Sequence, residues 1–174
     1  MTEKFNPAVL PAEVMKSYEK ASADDARHFL YPGQVFVTRD PITISTILGS
    51  CAAICLWDRQ KRVGGMNHYL LPEGDGEGPN RLRYGNVANP ELLRQVVALG
   101  SEIRHLQAKI FGGSCAFGNN PLQSLGTRNV QLAEDFLRAA GIPVVEKEVS
   151  GKHGRRLVFQ ISDGVTKIKN FDHV

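Results

Sequence analysis

The sequence predicts an α+β fold with mixed β-sheets, and three features of the residue pattern support this. Segments with strand-like alternation outnumber helical ones, and the two kinds follow no regular order. The continuous apolar run from Ala52 to Trp57 is typical of a strand buried on both faces. Two longer segments carry apolar residues at helical spacing, Glu91 to Leu106 and Gly126 to Ala140. A chain of 174 residues suits one domain of this kind.

The first half of the chain is predicted to be mainly β-structure. A Tyr-Pro-Gly turn at 31–33 precedes four expected strands, which are Gln34 to Arg39, Ile42 to Leu48, Ala52 to Trp57 and Met66 to Leu71. The segment from Pro72 to Asn80 is rich in glycine and acidic residues. We expect a loop there, and both a lid beside a site and an ordinary surface loop stay open.

The second half is predicted to mix helices and strands. The first helix is expected over Glu91 to Leu106, with Asn89 as its cap and Pro90 at its first position. The second helix, Gly126 to Ala140, is expected to end at Gly141. The remaining strands are expected at Lys109 to Phe111, Val144 to Val149, Arg156 to Ile161 and Val165 to Lys169, the last two forming a hairpin.

The segment 1–30 is predicted to be an N-terminal extension, mobile or loosely docked, that precedes a domain spanning 31–174. It is polar and broken by Pro7 and Pro11, and Ala12 to Phe29 has the pattern of a helix. The N-terminus lacks the apolar core of a signal peptide, and no run reaches the ~18 apolar residues of a membrane helix. We therefore expect a cytoplasmic protein that is not inserted in a membrane.

The composition excludes several classes of site. The net charge of +3 is spread along the chain and argues neither for nor against nucleic acid, and we expect no nucleic-acid partner. The three cysteines lack the spacing of a disulfide framework or a zinc site, and the five histidines lack metal-ligand spacing. No phosphate-binding glycine loop occurs. We expect neither a metal nor a cofactor.

Cys51 is the leading candidate for a nucleophile. It follows Gly49-Ser50 and immediately precedes an apolar strand, so the backbone must turn beside it. Such a turn exposes N–H groups near Gly49 and Ser50 that can stabilise an oxyanion. A buried structural cysteine is the alternative, and the pattern alone leaves both open. Cys55, inside the apolar run, and Cys115 are expected to serve packing.

His68 is the candidate base. It follows two glycines and sits within an apolar strand, whereas the other four histidines occupy expected surface positions. Its alternative is a core histidine with satisfied ring nitrogens. A cysteine and a histidine on separate strands form a nucleophile–base pair when the strands bring them together. In that case we expect His68 to lower the pKa of Cys51 and yield a thiolate.

Four segments together carry a resemblance to a known family. The first is the run 45–72, with LGSC, an apolar strand and GGMNH. Three more follow in order: KIFGG at 109–113, LGTRNV at 125–130, and GRRLVF at 154–159 followed by Asp163-Gly164. With these segments the chain resembles the CheD family of chemoreceptor glutamine deamidases, over roughly residues 31 to 170. The resemblance implies a layered α/β sandwich with mixed β-sheets flanked by helices, similar to cytotoxic necrotizing factor-type cysteine deamidases.

The resemblance also implies a third catalytic residue, a threonine just upstream of the cysteine, that orients the imidazole. Ser45 occupies that register here, and Thr46 stands beside it. Strand alternation sends the two hydroxyls to opposite faces, so only one can serve. We favour Ser45 and keep Thr46 open. Arg128 and Asn129 match the family pattern and are expected to stabilise a helix start.

The activity implied by the resemblance is protein-glutamine deamidation through a Cys51 thioester. The substrates would be glutamines in the helical cytoplasmic rods of methyl-accepting chemotaxis proteins, with receptor methyl esters as a secondary substrate. Two alternatives stay open. One is an adaptor that mainly binds the CheC phosphatase and receptors, and the other is a cysteine hydrolase or transglutaminase acting on another protein.

Overall fold

The computed structural model describes residue 16 and residues 28–115 and 124–171. Within these ranges the chain forms nine strands: β1 His28–Phe29, β2 Gln34–Thr38, β3 Thr43–Leu48, β4 Ala52–Asp58, β5 Val63–His68, β6 Leu106–Gly112, β7 Val144–Val149, β8 Gly154–Gln160 and β9 Thr166–Phe171. The longer helices are α1 Gly85–Ala98 and α2 Leu125–Ala140, and two short 3-10 helices occupy Arg81–Arg83 and Ile103–His105. The expected α+β class is confirmed.

The strands form two mixed sheets. The large sheet has the order β2-β5-β4-β6-β7, and the small sheet has the order β1-β3-β8-β9. The β1–β3 and β6–β7 pairs are parallel and the other ladders are antiparallel. Strand β4 lies at the centre of the large sheet, and both of its faces are buried, as its apolar run predicts, because its side chains pack into an apolar cluster on each side of the sheet.

The helices and the two sheets form three layers, and an apolar cluster lies between each pair of adjacent layers. One cluster lies between the helices and the large sheet and includes Ile54, Leu92 and Leu137. The other lies between the two sheets and includes Ile44, Phe111 and Phe159. The layers therefore run from helices through the large sheet to the small sheet. No helix of the described part of the chain has the length and apolar character needed to cross a membrane.

Helix α1 begins earlier than its predicted start at Glu91. The N–H groups of Gly85 and Asn86 donate to the carbonyls of Leu71 and Pro72, so the preceding loop satisfies the free donors of its first turn. Asn89 is not a cap, and Pro90 lies inside the helix. The predicted extension to Leu106 is also wrong, because the helix ends at Ala98 and Leu106 opens β6.

Helix α2 and the C-terminal strands match their predictions closely. Ser124 caps α2 by accepting from the N–H of Thr127 at 3.1 Å, and Gly141 ends it in the left-handed conformation with φ of 71°. Strand β7 has its predicted bounds, and β8 and β9 form the predicted hairpin.

The predicted N-terminal helix lies mostly outside the described residues. Its last two residues, His28 and Phe29, form β1 and pair with β3, so a helix does not extend to Phe29. Leu30 is fully buried between the sheets. The division of the chain at residue 30 stays a prediction, although the residues just before it already belong to the small sheet.

Candidate active site

The turn that carries Cys51 is held by its carbonyl groups. The carbonyl of Gly49 accepts from the N–H of Ser114 at 2.9 Å, and the carbonyl of Cys51 accepts from the N–H of Gly113 at 2.7 Å. Among the described residues, no backbone carbonyl accepts from the N–H of Ser50 or of Cys51. Cys51 itself is half-buried at the start of β4. The turn thus has fixed carbonyls, and within the described ranges the N–H groups of Ser50 and Cys51 are free of backbone acceptors.

Glycines allow the surrounding chain to approach this turn closely. Gly112 has φ of 107°, and a Cβ there would overlap the carbonyl of Cys51. A Cβ on Gly126, in the first turn of α2, would overlap the carbonyl of Gly113. The KIFGG and LGTRNV segments therefore bring the beginning of α2 against the cysteine turn.

His68 lies at the end of β5, and the strand register places it beside Cys51. Ala52 pairs with Tyr69 in the same register as the adjoining β4–β5 ladder. Cys51 therefore stands diagonally across from His68 on one face of the large sheet. Diagonal neighbours of this kind lie about 7–8 Å apart at Cα, within reach of longer side chains. Both side chains face the small sheet, since Cys51 packs on the cluster between the sheets and His68 contacts Thr46.

Thr46 is the hydroxyl that contacts the imidazole. Its Oγ1 lies 2.8 Å from Nδ1 of His68, and it donates to the carbonyl of Leu30 at 2.7 Å. A threonine hydroxyl has one proton, so with that proton on Leu30 the oxygen accepts from the Nδ1–H of His68. The lone pair of His68 is then on Nε2, which is buried without a hydrogen-bond partner in the described part of the chain.

Ser45, the favoured candidate for this position, points the other way. Its neighbour Ile47, on the same face of β3, packs with Phe29 and Phe171 on the side of the small sheet away from His68. The Ser45 hydroxyl is buried and has no hydrogen-bond partner among the described residues. The prediction that Ser45, and not Thr46, contacts the imidazole is therefore wrong, because Ser45 lies on the opposite face of β3.

Burial sets the protonation of the cysteine and the histidine. It raises the pKa of Cys51 to about 12, against smaller lowering effects of its own N–H and of the Arg83 charge. It also lowers the pKa of His68 to about 3. At neutral pH the pair is a thiol and a neutral imidazole. The expected lowering of the Cys51 pKa was therefore wrong for this structure, because desolvation outweighs the favourable contacts.

Asn129 contacts the Cys51 turn, which its position in the sequence did not predict. It is fully buried in α2, and its Nδ2 donates to the carbonyl of Ser50 at 3.0 Å and to that of Leu70 at 2.9 Å. The hydroxyl of Tyr69 donates to the Asn129 carbonyl at 2.5 Å. The only sequence signal was its match to the family pattern, which gives no indication of these long-range contacts.

The described cavities lie away from this turn. A cleft of about 380 Å³ is lined by Cys55, Trp57, Lys109, Glu146 and Thr166, at the opposite end of β4. In the described ranges, no group of three or more histidine, cysteine or acidic side chains is arranged to hold a metal ion.

The fold and site define an α+β protein in which a cysteine turn lies beside a histidine oriented by a threonine hydroxyl. The chain belongs to the CheD family. The family model, described as CheD chemotactic sensory transduction, matches residues 70–170. That match begins just after His68, whereas the alignments with whole relatives cover most of the chain.

Three relatives illustrate the similarity. The chain is 43% identical to "Probable chemoreceptor glutamine deamidase CheD 1" of Anaeromyxobacter dehalogenans, over 83% of this chain and 84% of the relative. It is 40% identical to the probable chemoreceptor glutamine deamidase CheD of Trichlorobacter lovleyi, over 80% and 87%. The protein of the same name from Rhodospirillum rubrum is 42% identical, over 78% and 77%.

A solved structure with a related outline is Neisseria meningitidis protein NMB0706, of the DUF152 family. It is 11% identical with a TM-score of 0.47, over 89% of this chain and 82% of that chain. This level of similarity bears on no functional statement.

Proposed function

We propose that this protein is a chemoreceptor glutamine deamidase, a protein-glutamine glutaminase that converts glutamine side chains of methyl-accepting chemotaxis proteins to glutamate. Its relatives in the CheD family carry that name. The observation that carries the proposal is the orientation of His68. Its Nδ1–H is held by Thr46, which leaves Nε2 as the basic atom on the face that Cys51 shares.

The first half of the proposed reaction is acylation of Cys51. The thiol proton moves to Nε2 of His68 as the sulfur bonds to the carboxamide carbon of the substrate. This transfer suits a neutral pair, because the base must be unprotonated before attack. The N–H groups of Ser50 and Cys51 stabilise the oxyanion. The carbon–nitrogen bond then breaks, and the imidazolium proton goes to the departing ammonia.

The second half is hydrolysis of the thioester. Water gives a proton to Nε2 of His68 and its oxygen bonds to the thioester carbon. The carbon–sulfur bond breaks, the sulfur of Cys51 regains the proton, and the substrate side chain leaves as glutamate. A receptor methyl ester would follow the same two halves, with methanol as the leaving group.

The substrate is proposed to be a helical rod that docks on the surface. The described cleft is not lined by the Cys51 turn, and in the described part of the chain the loop 72–80 and Arg83 are mostly exposed. An open site fits a side chain presented by another protein. The proposal places the protein in the cytoplasm with the receptor rods, and a fold relation to the cytotoxic necrotizing factor deamidases stays a prediction.

Peptide mass spectrometry on a receptor cytoplasmic fragment tests the proposal. We expect the wild type to convert glutamine to glutamate at discrete positions, and Cys51→Ala and His68→Ala to lose the conversion. Cys55→Ala is the matched control, because Cys55 lies on the same face of β4 and is expected to retain activity. Equal conversion by Cys51→Ala and wild type would rule out the cysteine mechanism. Incorporation of an added amine would indicate a transglutaminase instead.

CheC binding is a separate proposal that rests on the family resemblance. A pull-down with CheC tests it, using wild-type protein and Cys51→Ala. Binding by both proteins together with absent deamidation by the wild type would replace the enzyme with the adaptor as the main function.

A further inference from the structure

Asn129 ties the cysteine turn to the strand that carries His68. Its two hydrogen bonds reach the carbonyl of Ser50, directly before Cys51, and the carbonyl of Leu70, two residues after His68. The Asn129 carboxamide is fully buried, and its Oδ1 has no hydrogen-bond partner within the described ranges. Burying the Oδ1 of Asn129 without a partner costs free energy. We therefore infer that the contribution of this side chain lies in the two hydrogen bonds that its Nδ2 donates.

The bond to Ser50 fixes the direction of one N–H group. The described chain has no cis peptide bond, so the carbonyl of Ser50 and the N–H of Cys51 point in opposite directions across one planar peptide. Drawing the Ser50 carbonyl toward Asn129 therefore turns the Cys51 N–H away from the helix. That N–H is free of a carbonyl acceptor among the described residues and lies close enough to stabilise the Cys51 sulfur anion.

We propose that Asn129 is a positioning residue that orients the Cys51 N–H as an oxyanion donor by holding the carbonyl of Ser50. The inference rests on the deamidase function proposed above and adds a specific residue to it. The close packing at Gly126 brings α2 near enough for the amide to reach both carbonyls. The Tyr69 hydroxyl, bonded to the Asn129 carbonyl, holds this part of the helix from the other side.

The test compares Asn129→Ala and Asn129→Asp with the wild type. Asn89→Ala is the matched control for the loss of a buried helical amide, since the Oδ1 of Asn89 accepts from Asn67 on β5 and its side chain also contacts the Tyr69 hydroxyl, whereas no described hydrogen bond joins it to Ser50. We expect both Asn129 variants to lower the kcat of deamidation about a hundredfold, the effect of losing one oxyanion donor, with KM little changed. Asn89→Ala is expected to keep its kcat per folded molecule.

Alkylation of Cys51 by iodoacetamide distinguishes a positioning role of Asn129 from a general loosening of the structure around the thiol. This reaction forms no oxyanion, so we expect the Asn129 variants to react no faster than the wild type at the same pH. A merely structural role would expose the thiol and speed alkylation. Deamidation near the wild-type rate in a folded Asn129 variant would overturn the inference and leave the deamidase function standing.

A measurement on the wild type keeps the inference testable if the variants do not fold or no deamidation is found. Protein labelled with ¹⁵N at its three cysteines allows amide hydrogen exchange at Cys51 and Cys55 to be compared. The Cys55 N–H lies within the central strand, so we expect it to be protected while the Cys51 N–H exchanges faster. Equal protection at Cys51 would show that its N–H is engaged elsewhere and would overturn the inference. Absence of Cys51-dependent deamidation would overturn only the proposed function.

Discussion

Two cysteines lie along β4, Cys51 directly before its first residue and Cys55 at its centre, and their surroundings differ in kind. Cys51 lies at the start of the strand among backbone polar groups and beside His68. Cys55 is 1% exposed and lines a cleft near the ion pair of Lys109 with Glu146, at 2.8 Å. Burial raises the pKa of both thiols. Cys51 differs in having His68 diagonally across from it and, in the described part of the chain, neighbouring N–H groups without a backbone acceptor. We therefore expect the neighbouring polar groups, more than burial, to distinguish the reactivity of the two thiols.

The larger spaces also lie at the Cys55 end. The cleft of about 380 Å³ and a second of about 480 Å³ share Trp57 and Asp163 as lining residues. In the first cleft, polar groups pair with one another, since Thr166 donates to Glu146 at 2.6 Å and Lys109 donates to Thr166 at 3.1 Å. Under the proposed function, the site and the two described clefts therefore lie in different parts of the molecule.

A methyl group added to a glycine that packs near either cysteine is expected to separate stability from activity. At Gly126→Ala the Cβ would overlap the carbonyls of Gly113 and Ser114, and at Gly164→Ala it would overlap the ring of Trp57. We expect each variant to lose about 1–3 kcal/mol of unfolding free energy from overpacking. Only Gly126→Ala is expected to lose deamidation, by more than about tenfold per folded molecule, because it displaces Asn129. Urea unfolding and deamidation assays check this, and equal activities would contradict it.

The hydroxyls of Thr46 and Ser45, on opposite faces of β3, provide a second pair of variants. Thr46→Val removes the acceptor for the Nδ1–H of His68, which stabilises the imidazolium formed during attack. Hydrogen bonds to charged groups contribute about 1.5–3 kcal/mol, so we expect kcat to fall about 10- to 100-fold. Thr46→Ser is expected to restore most of the activity, and Ser45→Ala to stay near the wild type. A larger loss in Ser45→Ala than in Thr46→Val would refute the assignment of Thr46.

The last expected effect is on the pH dependence of stability. The pKa of His68 is about 3 when folded and near 6.5 when exposed, so the unfolded chain binds an extra proton between these values. The stability that neutral His68 contributes is present above pH 6.5 and declines as the pH falls below it. We expect the wild type to lose up to about 1.4 kcal/mol per pH unit more than His68→Gln between pH 6 and 4. Parallel unfolding curves for the two proteins would contradict this.

Local patterns were sufficient for much of the fold. The apolar run of β4, the C-terminal hairpin and the Gly141 end of α2 each depend on residues close in sequence. The start of α1 was mispredicted because its first N–H groups are satisfied by Leu71 and Pro72, which lie in a preceding loop. Proline is common at the first position of a helix, but in α1 the hydrogen bonds to Leu71 and Pro72 start the helix at Gly85, before Pro90.

The sequence by itself determined which side chains could do chemistry: a cysteine after Gly-Ser, a histidine after Gly-Gly, and two adjacent hydroxyls upstream. Only the tertiary structure decided that Thr46 and not Ser45 meets His68, because both faces of β3 are buried and alternation cannot tell which one faces the large sheet. It also decided that Asn129 reaches the cysteine turn, since that contact joins residues 79 positions apart. Such contacts arise from the packing of separate elements, which no local pattern encodes.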